Sequence, residues 1–224
     1  MSMILVHEIT TLQTRVVRLA LEVEARLEKS LEALARRDTG AAQTIASSDD
    51  VIDRQEVEIE EECLKILALH QPVASDLRWV IAVLKINNDL ERIADIAVNI
   101  AERVPRLVPA PPSGMEQHLQ QMGDHAIGML RQTFDALARR SPDLAREVVA
   151  RDEALDQMHR QTFATVEQGV VAGPVEVAAL LLFLSVSRDL ERVGDHVTNI
   201  AEDLIYLFEG AIIRHAHHLK TERP

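Results

Sequence analysis

The sequence DLERIAD at positions 89–95 returns as DLERVGD at positions 189–195, an offset of 100 residues. The match continues beyond the heptapeptide, because NIAE at positions 99–102 recurs at positions 199–202. A long-period repeat of this kind predicts a chain built from two similar units.

The acidic residues of the repeat fall on one stripe of a helix. With Glu91 set at zero and 100° per residue, Asp95 lies at about 40° and Asn99 at about 80°. The apolar residues fall between about 180° and 300°, so they should pack inward while the acids face outward. These inward residues are Leu90, Ala94, Ala97, Ile100 and Ala101.

The composition is typical of an all-helical protein. Aromatic residues make up 3% of the 224 residues, and the chain has eight Gly and eight Pro. The net charge of -12 argues against nucleic acid or an anionic membrane as the main partner. The single cysteine, Cys63, cannot form an internal disulfide, and no secretion signal or membrane span is evident. We therefore expect a cytoplasmic protein.

Apolar residues at three-to-four spacing predict six long antiparallel helices. The first runs over 7–36, the second over 41–69, and the third ends near Pro105, with Ser75 and Asp76 near its N-terminal cap. The second half restarts with the same plan, and Ser141 caps its middle helix. We expect two tandem pseudo-symmetric three-helix bundles at 1–104 and 115–212, a proline-rich connector at 105–114, and a C-terminal tail at 213–224.

A second set of acids repeats on the middle helix of each half. Asp49 and Asp53 recur as Asp152 and Asp156, an offset of 103 residues. Adjacent helices would bring these acids near those of the heptapeptides, and four carboxylates suit Mg, Mn, Ca or iron better than structural zinc. The candidate metal ligands are Asp49, Asp53, Glu91, Asp95, Asn99, Asp152, Asp156, Glu191, Asp195 and Asn199, with Glu60, Glu102, His159 and Glu202 as extensions.

Two alternatives remain open for these acids. They could form a solvated face with Arg92 and Arg192 as local counter-charges, or they could belong to a carboxylate-rich protein for metal storage or di-iron oxidation. Duplication of the acids on both helices favours a metal role over the solvated face. The di-iron reading requires inward-facing acids and a Glu-x-x-His motif, and neither copy of the heptapeptide contains that motif. Phosphate-binding loops and nucleophile elbows are also missing, so we predict a non-enzymatic protein.

Over nearly its whole length the chain resembles the PhoU family of phosphate-signalling regulators. The resemblance is carried by QPVASDLR at 71–78, by the duplicated Asp-Leu-Glu-Arg-x-x-Asp motif, and by the DHVTNIAE segment at 195–202. It implies two three-helix bundles and Glu/Asp-x-x-x-Asp metal sites, here Glu91/Asp95, Glu191/Asp195, Asp49/Asp53 and Asp152/Asp156. Ala94 departs from the family, which commonly has Gly at this position, and this puts close helix packing there in question.

The same resemblance implies a function that periodicity alone does not give. Members of the family bind metal, often form homodimers and lie in the cytoplasm, and partners can bring them to the inner face of the membrane. They act as adaptors between the ATPase subunit of a phosphate ABC transporter and a sensor histidine kinase, and they are negative regulators of the phosphate regulon. The implied cofactor is a divalent or ferric ion on surface carboxylate patches, with iron, Mn, Mg, Ca or Zn as occupants.

Overall fold

The computed structural model describes residues 3–47, 50–110, 114–169 and 174–210, and within these ranges it contains seven helices and no strand. The predicted all-α class is confirmed. The helices are α1 (Met3–Arg36), α2 (Thr39–Ala46), α3 (Asp50–His70), α4 (Ala74–Leu107), α5 (Met115–Arg139), α6 (Pro142–Gly169) and α7 (Pro174–Glu209).

Several helix ends follow from local chemistry. Asp38 caps α2 by accepting a hydrogen bond from the Ala41 amide at 2.9 Å, and Ser141 caps α6 by accepting one from the Leu144 amide at 3.3 Å. The predicted capping role of Ser75 and Asp76 on α4 is wrong. The cap residue is Val73, which offers no side-chain bond, and Asp76 contributes only its charge to the first turn.

The predicted helix over 41–69 is divided. α2 ends at Ala46 with Ser47 as its C-cap, and α3 begins at Asp50, whereas the equivalent α6 is continuous. Ser and Asp side chains compete with the helical backbone for hydrogen bonds, and four of them stand in a row at 47–50. The candidate ligand Asp49 lies outside the described residues.

The two halves share one core. α1 to α4 form the first half and α5 to α7 the second, and α4 packs on α7 while α1 packs on α5. Buried apolar residues of both halves belong to one continuous cluster, including all five residues predicted to face inward. The halves are therefore two copies of one plan that lie against each other, beyond what the repeat alone predicts.

The connector between the halves is shorter than predicted. α4 continues through Pro105 to Leu107, and α5 begins at Met115 after Gly114. Arg37 from the end of α1 donates hydrogen bonds to the carbonyl oxygens of Leu107 and Ala110. The part of the connector at 111–113 and the tail at 213–224 lie outside the described residues. Among the helices that are described, none has both the length and the apolar character to cross a membrane.

Candidate functional site

Two acidic faces lie where the middle helix of each half packs against its last helix. We define the first acidic face as Asp53 and Glu56 on α3 with Glu91 and Asp95 on α4. Burial, and then repulsion from Asp95, raises the pKa of Glu91, and the charge of Glu56 raises it further. Burial also raises the pKa of Glu56, with contributions from Glu60 and Asp53. Carboxylates from both helices thus act on one another, as the repeat predicts.

The second acidic face consists of Asp152 and Asp156 on α6 with Glu191 and Asp195 on α7. Burial raises the pKa of Asp152 to about 7, assisted by repulsion from Asp156, Asp195 and Glu191. The pKa of Glu191 is raised by burial first, and then by Asp195 and Asp156. All four acids of this face therefore interact, and their mutual repulsion is only partly offset by neighbouring arginines.

The α4 side of the first acidic face is less outward-pointing than the helical wheel indicates. The side chains of Glu91 and Asp95 are 23% and 37% exposed, and Arg92 approaches them at 3.2 and 3.3 Å. This arrangement provides the local counter-charge that the solvated-face alternative requires in the first half. Asn99 and Asn199 are exposed one turn farther along α4 and α7.

Equivalent pairs of side chains are in contact beside the two faces. Of the residues that make these contacts, only His159 was named as a candidate from the sequence. Asn87 donates hydrogen bonds to the backbone oxygen of Glu56 at 2.9 Å and to its carboxylate at 3.2 Å. At the equivalent positions of the second half, His159 Nδ1 lies 2.8 Å from Ser187 Oγ. Burial lowers the pKa of His159, and this favours the neutral imidazole that metals bind. Glu56 was missed, although the offset of 103 residues that relates the middle helices pairs it with His159.

The first acid of each heptapeptide lies outside the acidic faces, between the two halves. Asp89 Oδ1 is 2.8 Å from His196 Nδ1, and Asp189 Oδ2 is 2.6 Å from Arg103. On the helical wheel Asp89 falls at about 160°, beside the inward face, and this position is a signal of burial. These acids hold α4 and α7 together and are not free to act as metal ligands.

The residue before the last acid of each heptapeptide makes the two faces unequal. A Cβ atom on Gly194 would lie 2.5 Å from Leu155 Cδ2 and 2.9 Å from Asp152 Oδ1, so glycine allows α6 to approach α7 closely. Ala94 occupies the same place on α4, opposite the helix that is divided between Ala46 and Asp50. The effect of Ala94 on the close packing of α3 against α4 stays a prediction.

The donor chemistry of both faces fits a hard cation, because carboxylate oxygens are the ligands that such ions prefer. Within the described ranges, however, no group of three or more His, Cys, Asp or Glu side chains is placed so that it could hold a metal ion together. Binding would require the carboxylates to rotate toward one another. The metal site remains a prediction.

The raised pKa of Asp152 predicts a pH dependence of stability in chelator. Since the folded protein retains a proton that the unfolded chain releases at lower pH, stability should fall as pH rises from the ordinary value of 3.8 through about 7. The variant Asp152→Asn should remove this loss, a gain of about 1 to 2 kcal/mol near pH 8 after allowance for solvent screening. Thermal melting followed by circular dichroism across this pH range would measure it.

Glu153→Gln is the matched control for this experiment. Hydrogen bonds from Gln157 and Arg160 lower the pKa of Glu153, so its contribution to stability should vanish only in acid. The control should keep the slope of the parent protein near neutral pH. If the stability of Asp152→Asn fell with pH as steeply as that of the parent, the prediction of a raised pKa for Asp152 would be wrong.

Comparison with known proteins shows the relationship over most of the chain. A family model described as "PhoU domain" matches residues 16–104 and 119–204. The chain is 37% identical over 195 residues to a Pseudomonas putida protein named "Phosphate-specific transport system accessory protein PhoU homolog", covering 86% of this chain and 76% of that protein. A Clostridium acetobutylicum protein of the same name is 33% identical over 204 residues, covering 91% and 93%.

A solved structure has the same fold. The crystal structure of PhoU from Pseudomonas aeruginosa superposes with a TM-score of 0.86 at 34% sequence identity, and the match covers 92% of this chain and 99% of that one. The sequence match and the fold match thus both extend over the two halves of the chain.

Proposed function

Because the chain belongs to the PhoU family, we propose that it is a non-enzymatic regulator of phosphate uptake and of phosphate-starvation signalling. The observation that carries the proposal is the match of both halves to relatives named as accessory proteins of a phosphate-specific transport system. In the finer form of the proposal, the protein is a cytoplasmic adaptor that represses the phosphate regulon when phosphate is plentiful.

The adaptor would contact the ATPase subunit of a phosphate ABC transporter and a sensor histidine kinase. Two similar halves joined through α4 and α7 present two related helical surfaces at a fixed separation. Linked weak contacts gain effective concentration when both can engage at once, so this arrangement suits simultaneous or competing binding of two partners. A homodimer would double these surfaces.

Metal binding is a second part of the proposal. A divalent or ferric ion on the second acidic face would offset the repulsion among its four carboxylates, which adds to burial in raising the pKa of Asp152 and Glu191. Asp152, Asp156, Glu191 and Asp195 would hold it in the second half, and Asp53, Glu91 and Asp95 in the first. Neutralising the faces would lower the repulsion toward an acidic partner.

The alternative of metal storage or di-iron oxidation has less support. A di-iron bundle uses inward carboxylates that face one another across its core. The buried acids Asp89, Asp189 and Asp203 instead each lie within ion-pair distance of a basic side chain. Reducible iron with oxygen uptake during turnover would favour the alternative over the adaptor.

The double variant Asp95→Asn with Asp195→Asn should weaken divalent or ferric binding by at least about tenfold. Removing a residue that only hydrogen-bonds to a metal ligand already lowers metal affinity by about that much, and Asp95 and Asp195 are proposed to bind the metal directly. Its thermal stability in chelator should not fall, because the change removes like-charge repulsion. Mn²⁺ titration calorimetry and plasma mass spectrometry would measure affinity and content.

Glu61→Gln with Asp135→Asn makes the same change in net charge at exposed positions outside the acidic faces. This control should bind metal like the parent. Unchanged metal binding in the Asp95 and Asp195 variant would mean that these acids form a solvated face and not a metal site.

The adaptor itself is tested by assembly with its partners. We expect the purified protein to capture the transporter ATPase subunit and the sensor kinase, with capture of the transporter depending on the phosphate-loaded state of the transporter. Tight binding of inorganic phosphate to the isolated metal-free protein, or no assembly in any transporter state, would contradict the adaptor.

A further inference from the structure

A cavity of about 510 Å³ opens at one end of the molecule, where α4 begins, α5 ends and α7 ends. Residues of both halves line it, and its size falls in the range of small-molecule sites, about 300 to 1,000 Å³. Ser75, Asp76 and Arg78 of the segment at 71–78 form part of its wall, and neither acidic face involves them. We call it the end cavity, and its walls include Ile9, Asp76, Arg78, Trp79, Arg140 and Phe208.

The end cavity carries positive charge in an acidic protein. Arg78 and Arg140 line it, and neither forms an ion pair within the described residues. Asp76 is the one acid among the described lining residues. The Nε atom of Arg78 and the Nε1 atom of Trp79 are buried without a hydrogen-bond partner, a loss of about 1 to 3 kcal/mol for each such group. The wall thus has more donors than acceptors.

The other half of the chain shows what such an arginine binds when it is satisfied. Arg37 is the equivalent of Arg140 at the offset of 103 residues, and both have left-handed φ angles, of 53° and 50°. Arg37 pairs with the Glu116 carboxylate at 2.5 Å and also donates to two carbonyl oxygens. Arg140 has no carboxylate at the corresponding place among the described residues. An oxyanion would give Arg140 the kind of partner that Glu116 gives Arg37.

Another part of the wall is apolar and aromatic, formed by Ile9, Leu207 and Phe208 beside the indole of Trp79, while Thr10, Gln13 and Ser75 add neutral polar groups. A bare inorganic ion would leave these surfaces in contact with water. An anion that carries an apolar or planar body would cover them and still reach the guanidinium groups. Aromatic rings also pack favourably against aromatic walls.

We propose that the end cavity binds a small organic anion whose carboxylate or phosphate group pairs with Arg78 and Arg140 and whose apolar body packs against Trp79 and Phe208. The two head groups share one chemistry, that of an oxyanion facing two guanidinium groups. The site is separate from both acidic faces and requires no metal. It is also independent of the proposed role in phosphate regulation.

The experiment uses the full chain and the fluorescence of Trp79, which is the single tryptophan and therefore reports on this wall directly. Phenyl phosphate and phenylacetate are titrated as the two anionic probes, with benzyl alcohol as the neutral probe and inorganic phosphate as the ion without a body. We expect saturable binding of at least one anionic probe. Benzyl alcohol should bind about tenfold or more weakly, because charge-assisted hydrogen bonds are lost, and inorganic phosphate should also bind more weakly.

Arg140→Gln and Arg78→Gln should each weaken binding of that probe by about tenfold or more, while Arg139→Gln, at the exposed neighbouring position, should leave it unchanged. Calorimetric titration gives the affinities, and circular dichroism confirms that each variant is folded. Unaltered affinity in both cavity variants, or the absence of saturable binding, would overturn the proposal. Binding that appears only in a chain shortened to end at Gly210 would also overturn it, since residues 211–224 would then be the natural occupant. A failure of transporter assembly would leave this test unaffected.

Discussion

Each half of the protein, produced as a separate chain of residues 1–110 or 111–224, should melt at a much lower temperature than the intact protein. Separation uncovers the faces through which α4 meets α7 and α1 meets α5. It also removes the ion pair between Asp189 and Arg103. Even a deficit of about 3 kcal/mol would lower the melting temperature of a half by about 12 to 24 °C. Calorimetry of each half and of their mixture would measure it.

Lengthening the connector at 111–113 is the control, because it keeps both halves in one chain. Each doubling of a flexible loop costs only about 0.6 kcal/mol, so this variant should melt close to the parent. The mixed halves should recover most of the stability by reassociating. Separate halves that melt like the intact protein would mean that the shared core adds little, as two fully independent bundles would require.

The second large effect concerns Gly123, a buried residue where α5 crosses α1. A Cβ atom there would collide with the side chain of Leu31, lying 3.0 Å from Cδ2 and 3.1 Å from Cγ. Leu31 is 1% exposed and cannot move aside without disturbing the core. Gly123→Ala should therefore destabilise the protein by about 1 to 3 kcal/mol despite the better helix propensity of alanine. Urea unfolding would measure the change.

Gly128→Ala, five residues later on α5, is the control that separates the effect of packing on stability from the effect of helix propensity. A Cβ atom at this position would approach only the end of the flexible Arg151 side chain, at 3.0 Å. This variant should be neutral or more stable by up to about 1 kcal/mol, the difference in helix propensity. If both alanine variants were equally stable, the close approach of α1 and α5 would not limit packing.

The sequence predicts the helices well because each apolar stripe is a local property. The spacing of Leu90, Ala94 and Ile100 identifies the buried face of α4, and all three are buried. Spacing does not identify the surface that covers such a face. The shared core was therefore missed, and so was the division of the second helix beside Asp50, which depends on a local run of Ser and Asp.

The acidic faces were predictable to a similar depth. Acids four residues apart on two adjacent helices must approach each other, and the pKa of Glu91 responds to Glu56 across α3 and α4. The degree of burial was not predictable, because the raised pKa of Asp152 depends on how closely α6 packs at Gly194. The pairing of Asp189 with Arg103 also depends on a helix from the other half.

The polar contacts between α4 and α7 carry a record of how the two copies diverged. Asp189 meets Arg103, but the copy of Arg103 in the second half is Asp203, which would repel Asp89 in a symmetric arrangement. Asp203 instead meets Lys85 at 3.1 Å, and Asp89 meets His196, whose own counterpart is Ile96. If two copies of the first half packed together in this way, Asp89 of each would face Arg103 of the other. If two copies of the second half did so, Asp189 would face Asp203, and the two acids would repel each other. Divergence has made the copies complementary to each other and no longer interchangeable.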